Sequence, residues 1–429
     1  MKKNQLILLL AALAITGGAA FWKYSKRSNA IGSAPDRVGQ DLLQNFSPGD
    51  ITAFTVKDSK GEVTVEQKDG KWIVPARDGF PASIDAVNEL RDNSYALKVG
   101  AIQRVGDARL GQLKLKKPGE GGTEDETGAV VTFRDSAGKE IKSFTAGKTL
   151  SSDDTPPGGF NMNPSGPKSQ YIKVAGEEGY VYQARDGFSR LETEIKGWLD
   201  KNAFIKIEKP KSVTVTGKEP GESWKLTRET ESGEWKLDAP AAGEEFEASK
   251  ATPLSSAFSF VQFIDVLPAA EAAKAALDQP LRTAAITTFD GITYTIKVGA
   301  AEGDNHFISY AIEGKLEETR TPPVAAEKDK PAETEEQKKT ADEAFAKALA
   351  DKQKKLGEEQ ATAGRIFSIA KSSLEPILKK RSDFMKDKPV AAPGTPASDP
   401  EFGNPPPTAG QPRIEAVTPP ISVEVPPAK

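Results

Sequence analysis

The sequence predicts an α+β fold made of two tandem copies of one β-rich unit, each with antiparallel hairpins and two helices, behind an N-terminal transmembrane anchor. Short runs in which apolar and polar residues alternate are typical of half-buried strands. Turn sequences such as Asp69-Gly70 and Asp290-Gly291 join these runs in pairs, as in β-hairpins. The same order of runs, turns and helical segments occurs twice along the chain, which indicates an internal repeat.

The first copy is assigned to residues 48–204. Its predicted strands, in chain order, are 51–56, 63–67, 69–74, 129–134, 140–146, 171–174 and 179–184. A helix is predicted over 83–97, with Ser83 as its N-cap. A second helix, over 188–201, is predicted to close the unit.

The second copy is assigned to residues 205–388 and repeats this order. Its predicted strands are 212–216, 224–228, 232–237, 284–289, 293–298, 307–312 and 364–370. The predicted helices are 248–261, capped by Ser249, and 372–386. Trp72 and Trp235 occupy equivalent positions after the second strand of each copy, which predicts that they are structural anchors of the two units rather than sugar-stacking platforms.

A long insertion, about 313–363, replaces in the second copy the four-residue turn that closes the same hairpin in the first, Ala175 to Glu178. Apolar residues recur in it at helical spacing, which predicts a helix over 335–356 with Phe345 and Leu349 on a narrow apolar stripe. The sequence leaves open whether this helix folds back on its own domain or docks a partner. Because the loop-closure cost grows slowly with length, we expect the insertion to be dispensable for folding.

The N-terminus has the layout of an export signal or anchor, residues 1–24. Lys2 and Lys3 precede an apolar run from Leu6 to Trp22, about as long as a minimal bilayer span. An uncleaved anchor is favoured, and cleavage after the small residues at 18–20 stays open. The polar stretch 25–47 is predicted to be a tether, and the proline-rich tail, 389–429, a disordered segment.

The composition excludes several classes of function. A net charge of −4 argues against nucleic acid as a partner, because phosphate binding needs a concentrated positive surface. The chain has no cysteine and one histidine, His306, which we place in a turn. We therefore expect no catalytic residue, no metal site and no cofactor, although a pair of catalytic carboxylates leaves no linear signature.

The order of these landmarks resembles the bacterial domain-of-unknown-function family 4340. The residues that carry the resemblance are the Asp-Gly-Lys-Trp turn at 69–72, its partner at 232–235, and the strand at 180–182 with its closing helix. The resemblance implies a membrane-tethered extracytoplasmic domain, in some members alongside ABC-transporter or gliding-motility components. It implies no catalytic residues, and the insertion and the proline-rich tail depart from its pattern.

Two classes of function follow from these observations. The first is a non-enzymatic accessory or scaffold subunit, anchored in the cytoplasmic membrane with its bulk on the periplasmic side. Its partners would be envelope or membrane proteins, such as transporter subunits. The alternative is a structural envelope spacer, or a protein that binds or hydrolyses cell-wall carbohydrate.

Overall fold

The computed structural model describes residues 37–387, with gaps at 151–168, 186, 189–190 and 321–333. The predicted membrane anchor, Leu6 to Trp22, and the tail from 389 lie outside the described residues, as does most of the acidic loop at 150–169. Among the described helices, none combines the length and the apolar character that a bilayer span requires.

The fold is mixed α+β, with two antiparallel sheets and few helices. The nine strands of the first sheet are β1 Ala53–Lys57, β2 Glu62–Lys68, β3 Lys71–Val74, β4 Phe80–Pro81, β5 Val99–Arg104, β6 Ala129–Arg134, β7 Glu140–Thr149, β8 Gln170–Val174 and β9 Tyr180–Ala184. Their order across the sheet is β4-β3-β2-β1-β6-β7-β8-β9-β5.

The second sheet has eight strands. They are β10 Pro210–Gly217, β11 Trp224–Thr227, β12 Lys236–Leu237, β13 Asp265–Leu267, β14 Arg282–Thr288, β15 Thr293–Glu302, β16 Asn305–Glu313 and β17 Ile366–Ala370. Their order is β12-β11-β10-β14-β15-β16-β17-β13. If β4 is left out, the two sheets have the same strand order. Strands β12, β11, β10, β14, β15, β16, β17 and β13 then correspond, in that order, to β3, β2, β1, β6, β7, β8, β9 and β5.

The described α-helices are α1 Ile84–Ala96, α2 Asp107–Leu110, α3 Glu335–Ala361 and α4 Lys371–Leu378. The Oγ of Ser83 accepts a hydrogen bond from Ala86 N at 3.3 Å, so the predicted N-cap of α1 is confirmed. Helix α1 turns Val87 and Leu90 into the core. The turn at Asp69 and Gly70 has positive φ at both residues, as the predicted tight hairpin requires.

Two predicted helices are wrong. The segment 248–261 forms a shorter 3₁₀ helix, Ala248–Ser255, and Pro253 inside it has no backbone N–H to donate. Its N-cap is Glu247, and Ser249 caps nothing. Of the segment 188–201, only Ile195–Trp198 is helical in the described residues, again as 3₁₀.

Instead, the last segment associated with each sheet accepts a backbone hydrogen bond from an N-cap residue. These N-caps are Ser83 of α1 and Glu247 of the 3₁₀ helix Ala248–Ser255. Ser83 N donates to Trp198 O at 2.8 Å in the first sheet, and Glu247 N donates to Phe384 O at 2.8 Å in the second. Phe384 ends a 3₁₀ helix, Arg381–Phe384, so the predicted helix 372–386 is divided into α4 and this turn. Trp198 O and Phe384 O lie among the last four carbonyl groups of the predicted helices, so a continuous helix would have left them without an internal partner.

The predicted tether is shorter than expected, because its last part belongs to the folded unit. Leu42, Leu43 and Phe46 are buried in the core. Leu42 N donates to Leu97 O at 2.8 Å, and the Phe46 ring lies 5.1 Å from that of Phe133. The apolar residues of 37–47 thus cover the edge of the first sheet instead of remaining in solvent.

The two sheets share one hydrophobic core, so the boundary predicted near residue 204 does not separate two independent cores. The Phe80 ring lies 5.4 Å from Phe263 and 5.9 Å from Phe367. Phe204 itself is buried and lies 4.9 Å from Phe367. Arg77 adds a bidentate ion pair to Asp265, with N–O distances of 2.8 and 2.7 Å.

His306 lies in β16 and is buried, which corrects its placement in a turn. Its Nδ1 is 3.3 Å from Gly299 O, at a point where the register between β15 and β16 shifts. In the first sheet, Gln170 Nε2 donates to Gly147 O at 3.0 Å, at the matching register shift between β7 and β8. Both side chains therefore bind the carbonyl group of an irregular glycine in the neighbouring strand.

We expect His306→Gln to change the free energy of unfolding by less than about 1 kcal/mol, because glutamine makes this contact in the first sheet. His306→Leu should cost about 1–3 kcal/mol, because it leaves Gly299 O without the side-chain donor. Urea unfolding measures both values. Equal costs for the two variants would contradict this role for His306.

Candidate functional site

Helix α3 is the element that the second sheet has and the first lacks. Its N-terminus is fixed by a capping box: Thr334 Oγ1 accepts from Gln337 N, and the Gln337 side chain accepts from Thr334 N. Glu335 and Glu336 in the first turn favour the helix dipole. The 27-residue helix is five residues longer at its C-terminal end than the predicted 335–356.

The first four turns of α3 are solvent-exposed on all sides but one. From 335 to 351, only Ala341, Phe345 and Leu349 are half-buried, and their spacing of four places them on one face. Beside this stripe, Arg320 Nε binds Asp342 Oδ1 at 2.7 Å, which holds the preceding segment against the helix. Phe345 and Leu349 thus lie outside the main core.

The last turns of α3 are packed against the second sheet. Leu356 contacts the core, and Glu359 is buried, with 3% of its side chain exposed. Tyr294 of β15 donates its hydroxyl to Glu359 Oε2 at 2.9 Å, and Lys206 N donates to Oε1 at 2.9 Å. The carboxylate therefore joins α3 both to the sheet and to the segment that enters it.

A second group of hydrogen bonds lies next to this contact. We call its residues, together with Glu359, Tyr294 and Lys206, the Glu359 cluster. Tyr310 OH of β16 donates to Thr362 Oγ1 at 2.6 Å and lies 3.1 Å from Glu359 O. Thr362 Oγ1 also donates to Ala203 O at 3.0 Å. The expectation that the whole insertion is dispensable therefore needs correction, because residues 356–363 are part of the packed unit.

The electrostatics of the cluster are unusual for a surface helix. Burial raises the pKa of the Glu359 carboxyl, while the hydrogen bonds from Lys206 N and Tyr294 and the charge of Lys355 act in the opposite direction. The Lys355 ammonium is 4.0 Å from Glu359 Oε1 and donates instead to Lys206 O at 2.8 Å. Burial and the neighbouring carboxyl raise the pKa of Tyr294.

A shallow cleft of about 70 Å³ lies beside Glu359. Lys352, which pairs with Asp290 at 2.7 Å, forms one side of it, and Lys206 and Glu208 form another. The cleft is too small for a drug-sized ligand, since ordinary small-molecule sites begin near about 300 Å³. Its mixed charges fit an anchoring contact better than a substrate site.

The first sheet contains a related cluster. Arg37 Nη1 donates to Glu177 Oε2 at 3.1 Å and to Tyr182 OH at 3.2 Å, and its Nη2 donates to Leu42 O at 2.8 Å. The Tyr182 hydroxyl also binds Glu177, and burial together with this carboxylate raises the pKa of Tyr182 to about 12. In both sheets, a glutamate from the last hairpin connection binds a tyrosine and the entering segment.

The two predicted anchors lie away from α3. Trp72 is buried, 5.9 Å from the Phe54 ring, and is paired with Gln67 in the β2–β3 ladder. Trp235 is buried and precedes β12, whose first residue pairs with Thr227. The Arg228 guanidinium lies over the Trp235 ring, 5.0 Å from its centre. Their role as anchors stays a prediction.

No group of three or more His, Asp or Glu side chains in the described ranges could hold a metal ion. Glu359 was not predicted from the sequence. A signal for it existed, because the face that carries Phe345 and Leu349 continues through Leu356 to position 359, where an acidic residue interrupts the stripe.

Comparison with known families agrees with the order of landmarks in the sequence. The family model described as a domain of unknown function (DUF4340) matches residues 72–280. Residues 72–280 are therefore similar to the DUF4340 family. The match begins at Trp72 of β3 and ends just before β14. It therefore includes strands of both sheets but does not include α3.

Searches of curated proteins and of solved structures found no match to the chain. The function of this protein is therefore argued from its own residues. Since the family match stops short of the insertion, α3 is a feature of this chain that the matched domain does not account for.

Proposed function

We propose that the protein is a non-enzymatic, membrane-anchored envelope protein that presents two copies of one α+β unit to protein partners, with α3 as the docking element. The run from Leu6 to Trp22 would hold it in the cytoplasmic membrane, with the bulk on the periplasmic side. The family resemblance suggests subunits of an ABC-transporter or motility-type system as partners.

The shared strand order of the two sheets supports the duplication. So do the matched contacts of Gln170 and His306 with irregular glycines. The first sheet closes the same hairpin with a short turn, whereas the second carries α3 at that position. A duplicated scaffold with an extension on one copy is typical of a protein that positions other components.

The exposed half of α3 is the single observation that carries this proposal. Its last two turns are fixed by the Glu359 cluster, so the preceding four turns are held as a rigid helix away from the shared core. Their surface alternates acidic and basic residues around the stripe that contains Phe345 and Leu349. A narrow apolar stripe with charged flanks is the pattern by which a helix pairs with a groove or another helix.

Photo-crosslinking in native membranes tests the docking role. A photoreactive amino acid at Lys347, exposed on α3, should capture one envelope protein, identified by mass spectrometry. The matched control is the same substitution at Lys139, exposed in the β6–β7 turn. We expect the adduct at 347 and not at 139, and we expect Phe345→Asp to remove it.

Other outcomes would overturn the proposal. Equal adducts at both positions would indicate collision rather than docking. Recovery of cell-wall glycan alone would favour a structural spacer. A reproducible hydrolysis of glycan or peptide by the purified protein, lost on changing one acidic residue, would contradict the non-enzymatic assignment.

A further inference from the structure

The contacts at the base of α3 reach two parts of the molecule, strand β15 and the segment that enters the second sheet. Glu359 binds β15 through Tyr294 and the entering segment through Lys206 N, and Thr362 binds Ala203 O. The segment 201–208 also connects the two sheets, and its Phe204 lies in their shared core. The end of α3 is therefore attached to the linker between the sheets.

We propose that the Glu359 cluster is a pH-sensitive latch, which holds the end of α3 on the inter-sheet linker in acid and loosens as Glu359 loses its proton. The carboxyl is enclosed, and both of its close donors, the Tyr294 hydroxyl and Lys206 N, are neutral. An ionised carboxylate in such a place lacks a full counter-charge, whereas the protonated acid does not need one.

The charged groups around the carboxyl do not remove this imbalance. On the linker, the Lys206 ammonium reaches toward Asn202, and Glu208 adds a like charge. On α3, Lys352 is paired with Asp290 of the β14–β15 turn. Lys355 pairs with Glu359 at 4.0 Å among the described residues, and it donates its hydrogen bond to a backbone carbonyl instead.

The direction of the effect follows from linkage. Burial raises the pKa of Glu359 in the folded state above its ordinary value of 4.5, so the folded state holds the proton more tightly than the unfolded chain. The stabilisation is complete below the unfolded pKa and is lost as pH rises through the folded one. For each unit by which the folded and unfolded pKa values differ, ionisation of Glu359 lowers the equilibrium constant for the closed latch about tenfold.

Hydrogen exchange of the purified full-length protein, followed by mass spectrometry between pH 5 and 8, tests the latch. Protection factors for 201–208 and 356–363, corrected for the intrinsic exchange rate at each pH, should fall as pH rises. Glu359→Gln imitates the protonated acid and should remove this pH dependence. Glu177→Gln in the related cluster of the first sheet is the matched control and should keep it.

Tyr294→Phe provides an independent variant if Glu359→Gln does not fold. Its lost hydrogen bond had lowered the pKa of Glu359, so the fall in protection should move to higher pH. Protection that is constant or rises with pH in the unaltered protein would overturn the latch. So would an equal pH dependence in Glu359→Gln. The experiment contains no partner, and its failure would leave the docking role of α3 standing.

Discussion

Trp72→Ala and Trp235→Ala are each expected to lower the free energy of unfolding by about 3–5 kcal/mol. Trp72 packs 5.9 Å from Phe54, with the Arg91 guanidinium over its ring. Trp235 is 3% exposed, and its Nε1 donates to Ser255 Oγ at 3.1 Å. Removing either indole leaves a cavity that the surrounding sheet residues fill only in part. Equilibrium unfolding in urea measures the loss.

Phe260→Ala is the matched control for these two variants. Phe260 is 88% exposed, so its removal should change the free energy of unfolding by no more than about 0.5 kcal/mol. A tryptophan variant that behaves like Phe260→Ala would show that this side chain is not an anchor. Unequal losses would measure how far the two sheets differ in packing around equivalent positions.

Deleting the entire insertion is expected to destabilise the protein by about 4 kcal/mol, at about 1 kcal/mol for each of four buried hydrogen bonds. The variant replaces Glu313 to Ala363 with the turn Ala175 to Glu178. The lost bonds are those from Tyr294 and Lys206 N to Glu359, from Tyr310 to Thr362, and from Thr362 to Ala203. The core contact of Leu356 is lost as well.

A partial deletion separates this effect from loop length. Replacing only 317–351 with a short Gly-Ser linker keeps residues 352–363, and Leu316 and Lys352 already line the same cleft, so their ends are close. Because loop closure depends weakly on length, this variant should unfold within about 1 kcal/mol of the unaltered protein. Equal losses in both deletions would place Phe345 and Leu349 in the main core, against their half-exposed position.

Strands were predicted better than helices, and the reason is local. In β2 and β15 the alternation of apolar and polar side chains records which face is buried, and that pattern can be seen within a few residues. The segment 188–201 has helical spacing too, but Trp198 and Leu199 are used to bind the chain near Ala82. The competing partner is more than one hundred residues away and leaves no local signal.

The candidate site also combines a feature that local sequence predicted with one that depends on distant contacts. The apolar spacing of Phe345 and Leu349 predicted a helix in the insertion, and α3 confirms it. Nothing in the spacing distinguishes Glu359 from the other glutamates of that helix. It is buried because β15 and the inter-sheet linker meet there, and both approach from distant parts of the chain.

By itself, the sequence determined the α+β class, the hairpins, the helix of the insertion and the family, because each depends on short-range periodicity and turn chemistry. Only the tertiary structure decided that the two sheets share one core, that residues 37–47 complete the first sheet, and that His306 and Gln170 have matching roles. These features depend on contacts between segments far apart in the chain, and their free energy comes from burial that no single segment achieves alone.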